Sequence, residues 1–240
     1  MLDIETAPHL AAVWGLYDQN VATNQIIKPG YTLCWAAKWY GEDEILFSSI
    51  LNGPKKMIRT VHELLEDADA VCHYNGTKFD IPTLNKEFLL IGLKPPSPAM
   101  QIDLLRVARS RFRLASNKLD YVAQQLGLGQ KERHKGFELW LECMARKPDA
   151  WEVMESYNKH DVRLLEKVYE RLLPWIKHHP NRSVLAGRLC CPNCGSEKTQ
   201  ARGYARTQAQ TYQRFQCQDC GGWHRAHKAE RNNGKRVAIS

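Results

Sequence analysis

The sequence lacks several features that would assign it to a special class of protein. Its 240 residues contain no run of about 20 consecutive apolar residues, which predicts neither a membrane-spanning helix nor a membrane partner. The first ten residues lack the basic start and apolar stretch of a signal peptide, so we expect a cytoplasmic protein. Internal repeats and low-complexity segments are absent, and the apolar and charged fractions, 43% and 25%, are ordinary for a globular chain.

Positive charge is balanced through most of the chain and concentrated at its end. Residues 1–180 contain 23 Lys and Arg against 23 Asp and Glu, whereas residues 181–240 contain 11 against 3. The final segment therefore carries the whole net charge of +8. This concentration is typical of a segment that contacts a polyanion, most commonly nucleic acid, although a solvated basic tail has the same composition.

Short β-rich segments alternate with helical patterns in the first half of the chain, and helical patterns dominate the second half. Strands are predicted at LDIE, VWGLYDQ, YTLCWAAKWY, EILFSSI and AVCHY. Helices are predicted near MIRTVHELLED, over about residues 81–90, and at LDYVAQQL, FELWLECMA and WEVMESYNKHDVRLLEKVYERLLPWI. This order predicts an α/β domain, a mixed sheet flanked by helices, over residues 1–180, followed by a small module over residues 187–240.

Three short motifs contain the candidate catalytic residues. Asp3 and Glu5 lie two residues apart on the first predicted strand, so their side chains share a face and could bind one cation. The alternative is that this face is simply exposed to solvent. Asp80 follows an Asn-Gly loop at the end of a predicted strand, where capping of the next helix is the alternative. Tyr157 and Asp161 lie four residues apart on one face of the long helix and could reach one site together. The alternative is a tyrosine at the edge of the core and an aspartate exposed to solvent.

In this order, the motifs LDIETA, HYNGTKFD and YNKHD resemble those of the DEDD family of 3′ to 5′ exonucleases, in its tyrosine subgroup. The stretch NKLDYVAQQLGLGQK is also similar to these enzymes, and the resemblance covers about residues 1–176. The histidine subgroup fits less well, because Ser156 stands where its histidine would be. Only Met1 and Leu2 precede Asp3, so either the first strand is short or the natural chain begins further upstream. The resemblance, which extends to stand-alone phage and bacterial exonucleases, implies a ribonuclease H-like fold.

The resemblance implies a site for two Mg²⁺ or Mn²⁺ ions that serve the attacking and leaving oxygens of phosphodiester hydrolysis. The ligands that it implies are Asp3, Glu5, Asp80 and Asp161. Tyr157 would orient the nucleophile, because an ordinary tyrosine pKa of about 10 makes it a poor base at neutral pH. Near the terminal nucleotide the resemblance places Thr6, Asn75 and Phe79. For Phe79, packing in the core is an equal alternative.

Five of the eight cysteines lie in the basic C-terminal segment. Its CPNC and CQDC pairs form the pattern C-x₂-C-x₂₂-C-x₂-C, which is typical of a tetrahedral Zn²⁺ site, and the segment resembles a zinc ribbon. We expect one structural Zn²⁺ bound by Cys191, Cys194, Cys217 and Cys220. Substitute ligands are available at Cys190, His224 and His227. Disulfides are the alternative, which a reducing compartment disfavours. Buried positions without a functional role are expected for Cys34, Cys72 and Cys143.

Basic and aromatic residues are interleaved between and after the two cysteine pairs, a mixture that suits phosphate contacts and base stacking. The basic residues are Arg202, Arg206, Arg214, Arg225 and Lys228. The aromatic residues are Tyr204, Tyr212, Phe215 and Trp223. A protein-docking surface is the alternative, since zinc ribbons also bind proteins.

Together these features predict a 3′ to 5′ exonuclease that acts on single-stranded or frayed DNA, with RNA as the nearest alternative substrate. A structure-specific endonuclease on the same scaffold is a second interpretation. A catalytically silent nucleic-acid-binding protein is a third, and the presence of all four acids and the tyrosine argues against it. The sequence contains no polymerase domain, so a proofreading role would require a replication or repair protein as a partner in trans.

Overall fold

The computed structural model describes residues 1–177, 179–185, 187–188 and 190–230, with Leu185 described by its backbone alone. By its internal contacts the chain divides into two compact units, Met1–Glu170 and Arg171–Ser240. Three of the basic residues counted at the end of the chain lie outside the described residues: Arg231, Lys235 and Arg236. None of the helices in the described ranges is long and apolar enough to cross a membrane.

The first unit contains seven short strands in its described residues. They are β1 (Leu2–Thr6), β2 (Leu10–Ala11), β3 (Ile26–Lys28), β4 (Thr32–Ala37), β5 (Leu46–Ser49), β6 (Ala70–His73) and β7 (Met100–Asp103). Strand β4 pairs antiparallel with β1 on one side and with β5 on the other, while β6 and β7 pair in parallel. Strand β6 also neighbours β1, so parallel and antiparallel strands lie side by side. The predicted mixed α/β architecture is confirmed.

Each helix of the first unit buries apolar residues. These helices are α1 (Pro54–Glu66), α2 (Asp80–Leu90), α3 (Leu104–Arg111), α4 (Leu119–Gln125), α5 (Phe137–Met144) and α6 (Pro148–Leu172). Helices α1 and α2 contact the strands β5 and β4, respectively. Helix α1 shows the cause: Met57, Val61 and Leu65 recur every four residues and are all buried. The indole N–H of Trp35 on β4 donates to the carbonyl of Met57 at 3.0 Å, which fixes the helix on the sheet.

One predicted strand is wrong. Residues 13–19, the segment VWGLYDQ, form irregular bends rather than a strand. Trp14 is 100% exposed, and Leu16 and Tyr17 are also largely exposed. Asp18 has a φ of 52°, a left-handed conformation that interrupts extended backbone. The apolar residues of this segment have no partner strand within the described residues, and composition alone does not make a strand.

The second unit is built on a small antiparallel sheet. Its strands are β8 (Thr199–Arg206), β9 (Thr211–Cys217) and β10 (Trp223–Arg225), in the order β10-β9-β8, and they follow the short helix α7 (Arg182–Leu185). A bulge between Ala201 and Tyr204 interrupts β8, where Gly203 adopts a φ of 68°. Most residues of this sheet are exposed or half-buried, so the described module has a small apolar core.

Candidate functional site

Three acidic residues from distant parts of the chain meet beside β1. Asp3, Glu5 and Asp161 each place a carboxylate oxygen within 4.8 Å of the others. The alternation of β1 explains the first two, because Ile4 between them points into the core and is 2% exposed. Helix α6 supplies Asp161, which is buried. The strand and the helix thus present their carboxylates to one point.

Asp80 lies near this cluster but outside the group of three. It is the first residue of α2, is buried, and accepts a hydrogen bond at Oδ1 from the backbone N–H of Ile4 at 3.2 Å. Its charge raises the pKa of Asp3 and of Glu5, which places it within electrostatic reach of both. The residue in the N-cap position of α2 is Phe79. Asp80 is therefore attached to the backbone of β1 between the two acids of the first motif.

The four acids resist simultaneous ionisation. Burial raises the pKa of Asp3 well above its ordinary value, and the charges of Glu5 and Asp80 raise it further. Burial also raises the pKa of Glu5 to about 7 and that of Asp80 to about 7. For Asp161, burial raises the pKa, and the nearby Lys131 opposes this effect without cancelling it. A cation placed among these groups would remove most of this cost.

One buried oxygen supports the fit of a divalent cation. The Oδ1 atom of Asp161 is buried and has no hydrogen-bond partner among the described residues. Buried carboxylate oxygens normally accept hydrogen bonds, so an oxygen without a donor is available for another ligand. Hard divalent cations such as Mg²⁺ favour carboxylate oxygens. The donor set and the free oxygen therefore fit such an ion.

Lys131 was not singled out by the sequence, yet it is the cation that the chain itself places in the site. Its ammonium group forms an ion pair with Asp161 and donates a hydrogen bond to the hydroxyl of Tyr157 at 3.0 Å. Burial alone would lower the pKa of Lys131, but Asp161, Tyr157 and Asp3 together raise it above its ordinary value. Lys131 therefore stays charged and partly neutralises the acids.

The loop that carries Lys131 is fastened at several points. The backbone N–H of Lys131 donates to Asp120 at 2.7 Å, and Ser156 donates to Glu132 at 3.0 Å. The ring of His160 hydrogen-bonds the carbonyl of Gln130 at 2.8 Å, which gives that histidine a structural contact. These bonds fix the loop to α4 and α6, so the ammonium group is held in position.

Tyr157 lies beside Asp161 on the same face of α6, as the four-residue spacing predicts. Its ring packs edge-on against His134 and Trp140, with centroids 4.8 and 6.1 Å away. Burial raises the pKa of Tyr157 above its ordinary value, and the charge of Asp161 raises it more. The hydroxyl therefore keeps its proton at neutral pH and is unsuited to act as a base.

Two further side chains that the sequence did not reveal hold the acids of β1. Asn158, fully buried on α6, donates from Nδ2 to Oδ2 of Asp3 at 2.6 Å. The indole of Trp140 hydrogen-bonds Glu5. Each bond restricts the rotation of a carboxylate, so both acids face the cluster before any ligand arrives.

The sequence profile of the RNase H superfamily matches residues 2–173 of the chain. The chain belongs to the RNase H superfamily. Membership indicates a nuclease-type function on a nucleic-acid substrate, and the nucleases of this superfamily usually use divalent metals. The match includes all four acids and Tyr157 and ends before the cysteine module. A comparison with curated proteins gives no significant match.

In this RNase H superfamily domain, the three expected substrate contacts occupy different settings. Thr6 ends β1 and is half-buried. Asn75 adopts a φ of 69°, and its N–H donates to Asp103 at 3.0 Å. Phe79 is 43% exposed, so the alternative of packing in the core is wrong for this residue. An exposed ring therefore immediately precedes Asp80.

The turn before Asp80 tolerates only glycine at position 76. The N–H of Gly76 donates to Nδ1 of His73 at 3.0 Å, and a Cβ atom there would lie 2.3 Å from the imidazole ring. His73 is itself buried and hydrogen-bonds Gln101 at 2.7 Å. This close approach fixes the path of the loop that leads to Phe79 and Asp80.

A basic segment lies next to the same loop. Residues 104–118 contain five basic residues and no acidic one. The carboxylate of Asp103, at the start of α3, accepts the N–H of Asn75, and the hydroxyl of Tyr74 donates to the carbonyl of Asn117 at 2.6 Å. Four of the five cations are exposed and form no ion pair within the described residues: Arg106, Arg109, Arg113 and Lys118.

The second unit brings the four predicted cysteines together. Their sulfur atoms all lie within 4.8 Å of one another, with Cys191 and Cys220 at 3.7 Å and Cys194 and Cys217 at 3.6 Å. Sulfur ligands about 2.3 Å from a tetrahedral Zn²⁺ would be about 3.8 Å apart, so the spacing fits that ion. The three substitute ligands lie outside this cluster: Cys190, His224 and His227.

Each cysteine pair forms a turn whose backbone N–H groups point at sulfur. The N–H of Gly222 donates to Sγ of Cys220 at 3.4 Å, and that of Ser196 hydrogen-bonds Cys194. Burial alone would raise the pKa of Cys217, but the N–H groups of Cys220 and Asp219 and the neighbouring thiols lower it to about 7. Burial raises the pKa of Cys194 to about 11 and also raises the pKa of Cys220, so without a metal the turns favour the thiolate form at Cys217 but not at these two cysteines.

Proposed function

We propose that the chain is a divalent-metal-dependent 3′ to 5′ exonuclease that hydrolyses single-stranded or frayed DNA ends. The observation that carries the proposal is the meeting of Asp3, Glu5 and Asp161, with one buried oxygen of Asp161 free to bind a ligand. In the proposed site Asp80 is the fourth acid, and it is attached to β1 through the backbone N–H of Ile4.

When bound, divalent cations would supply an activated water and stabilise negative charge on the leaving oxygen. The carboxylates of Asp3, Glu5, Asp80 and Asp161 would hold these ions. Asn158 keeps Asp3 in the required rotamer through its 2.6 Å hydrogen bond. The polypeptide therefore preorganises the site, which is the main contribution that a protein makes to this type of catalysis.

Tyr157 acts as a positioning residue for the nucleophile. Lys131 donates to its hydroxyl oxygen, so the hydroxyl proton is left to donate elsewhere, and it hydrogen-bonds Asp161 in this structure. Because the tyrosine retains its proton, it orients the attacking oxygen rather than removing a proton from it. The position of Tyr157 beside Asp161 supports an active exonuclease of the tyrosine subgroup rather than a nucleic-acid-binding protein whose acidic site has lost activity.

An exposed ring and a basic surface support action at a strand end. Phe79 lies one residue before Asp80 and is available to stack on a terminal base. The exposed cations of residues 104–118 flank the same loop and provide phosphate contacts for the strand that enters the site. A free end with an unstacked base fits this combination better than an internal duplex site.

The proposal is tested with single-stranded DNA labelled at its 5′ end, incubated with Mg²⁺ or Mn²⁺. We expect a ladder of products shortened one nucleotide at a time from the 3′ end, and none with the Asp161→Asn variant. Circular single-stranded DNA serves as the control, and its cleavage would instead establish an endonuclease. RNA of the same sequence measures the preference for sugar, and the absence of cleavage of every substrate by a well-folded protein would refute the proposal.

A further inference from the structure

The two faces of the sheet in the second unit carry different sets of aromatic and basic residues. Residues directly opposite each other in neighbouring strands share a face, and β10 pairs with β9 as Trp223 with Gln216 and Arg225 with Arg214. Alternation along β9 adds Tyr212 to that face, which we name the arginine face. The sequence showed only an undivided mixture, whereas the strand register assigns these residues to one side.

Guanidinium groups and rings on the arginine face are stacked in pairs. Arg225 lies over the ring of Tyr212 at 4.2 Å, and Arg214 lies over the ring of Trp223 at 5.1 Å. Arg214 is further fixed by donating from Nε to the carbonyl of Arg202 at the bulge, at 3.2 Å. These contacts hold the cations in defined positions, which lowers the entropic cost of binding a ligand.

The positive charge of this face is not neutralised by the module. Arg202 also belongs to this face, because it donates from Nε to the side chain of Gln200 at 3.2 Å, and Gln200 pairs with Gln216 of β9. Within the described residues, Arg202, Arg214 and Arg225 form no ion pair with a carboxylate. Two acids of the module are engaged elsewhere, because Glu197 pairs with Arg188 and Asp219 with Lys198. Trp223 is 51% exposed, so much of its ring is open. Exposed cations next to an exposed ring suit a polyanion that has flat apolar groups.

The opposite face has a different character. Phe215 stacks on His224, with centroids 5.5 Å apart and an angle of 16° between the rings. Tyr204 pairs with Gln213 and therefore shares this second face, where it is 48% exposed. The two faces thus offer exposed aromatic residues of similar accessibility, but among the residues that the structure describes only the arginine face combines its ring with stacked guanidinium groups. Tyr204 consequently provides a matched control.

We propose that the arginine face of the second unit binds single-stranded nucleic acid, with Trp223 stacking on an unpaired base and Arg202, Arg214 and Arg225 contacting phosphates. A duplex hides the faces of its bases, so an unpaired strand is the ligand that uses both components of this surface. The inference concerns binding alone and does not depend on the acidic cluster of the first unit. It therefore stands or falls separately from the proposed exonuclease activity.

The test measures binding of the full-length, zinc-loaded protein without added Mg²⁺ or Mn²⁺, by fluorescence anisotropy. The probes are a labelled oligo(dT) and an abasic strand of the same length. We expect Trp223→Ala to weaken binding to oligo(dT) by roughly fivefold or more, with little change for the abasic strand. Arg214→Gln should weaken binding to both strands and reduce the salt dependence. Tyr204→Ala should change neither affinity.

Zinc content and thermal melting of each variant establish that the module remains folded. If Trp223→Ala loses zinc, Arg225→Gln provides the second test, because it removes charge and leaves the Tyr212 ring in place. The proposal is overturned if Trp223→Ala and Tyr204→Ala have equal effects on oligo(dT), or if Arg225→Gln leaves both affinities unchanged. Unaltered nucleic-acid binding in all variants would also overturn the proposal.

Discussion

The acidic cluster brings three candidate ligands together with Asp80 nearby, and the cysteine cluster brings four together, but the chain compensates their charges in different ways. At the acidic cluster, the ammonium group of Lys131 pairs with Asp161. At the cysteine cluster, backbone N–H groups from the two turns contact the sulfur atoms. The acids also lie against a large apolar core, whereas the cysteine module is mostly exposed. We therefore expect the first site to keep its shape without metal and the second to depend on metal for folding.

The largest effect that we predict is the loss of cleavage when one acid becomes neutral. Asp161→Asn keeps the size of the side chain and removes a candidate ligand, so kcat/KM should fall by about a thousandfold or more while the fold persists. Single-turnover cleavage of labelled DNA measures the loss. The matched control is Glu152→Gln, an exposed acid on the same helix. Substantial activity in the Asp161 variant would exclude the proposed two-metal site.

Tyr157→Phe removes one hydroxyl and leaves the aromatic packing in place. Because that hydroxyl is proposed to position the nucleophile, we predict a fall in kcat of about 10- to 100-fold with little change in substrate affinity. Steady-state kinetics combined with binding measurements separates the two parameters. An unchanged kcat would assign Tyr157 a purely structural role against His134 and Trp140.

Removal of residues 187–240 tests what the cysteine module contributes to nucleic-acid binding. The truncated protein should still cleave short strands, because the acids and their supports all lie before residue 162. Binding to longer strands should weaken at moderate salt, and the slope of log affinity against log salt should fall by about 0.7 for each phosphate that the protein no longer neutralises. Zinc chelation followed by restored Mg²⁺ should give the same result. Equal slopes for both proteins would indicate that the module binds a protein.

Lys131→Met should sharpen the contrast between the two clusters. Without the ammonium group, the buried Asp161 loses its counter-charge, so the metal-free protein should melt at a lower temperature. Mg²⁺ or Mn²⁺ should then bind several-fold more tightly, since no internal cation competes for the carboxylate. Calorimetric titration measures the affinity, and Lys135→Met, at an exposed lysine of the same loop, is the control. Weaker metal binding in the Lys131 variant would contradict this account.

The smallest predicted effect is a dependence of stability on pH. Glu5 and Asp80 have pKa values of about 7, above those of unfolded acids, so the folded state binds more protons between about pH 4.5 and 7. The free energy of unfolding without metal should therefore decrease as pH rises through this range. Melting curves at about pH 5 and 8 measure the difference, which Mg²⁺ should reduce and Asp80→Asn should diminish. A melting temperature that rises toward pH 8 without metal would contradict it.

Local periodicity was enough to predict part of the candidate site. Two-residue alternation placed Asp3 and Glu5 on one face, and four-residue spacing did the same for Tyr157 and Asp161. It could not reveal Lys131, which lies in a loop without periodicity, or Asn158, whose partner is 155 residues away. The strand predicted at VWGLYDQ was wrong for a related reason, because a strand requires a neighbouring strand that composition does not specify. Contacts between distant segments depend on packing, which no single window of sequence contains.

The hydrogen bond between Asn158 and Asp3 also sets a time for the appearance of a complete site. Its two residues are 155 positions apart, so β1 leaves the ribosome long before its partner helix exists. At about 5–20 residues per second, the delay during synthesis is on the order of 10 s. During that interval the nascent chain has Asp3 and Glu5 but not Asp161, so it cannot form the cluster. Synthesis from the N-terminus therefore delays assembly of the site until the domain is nearly finished.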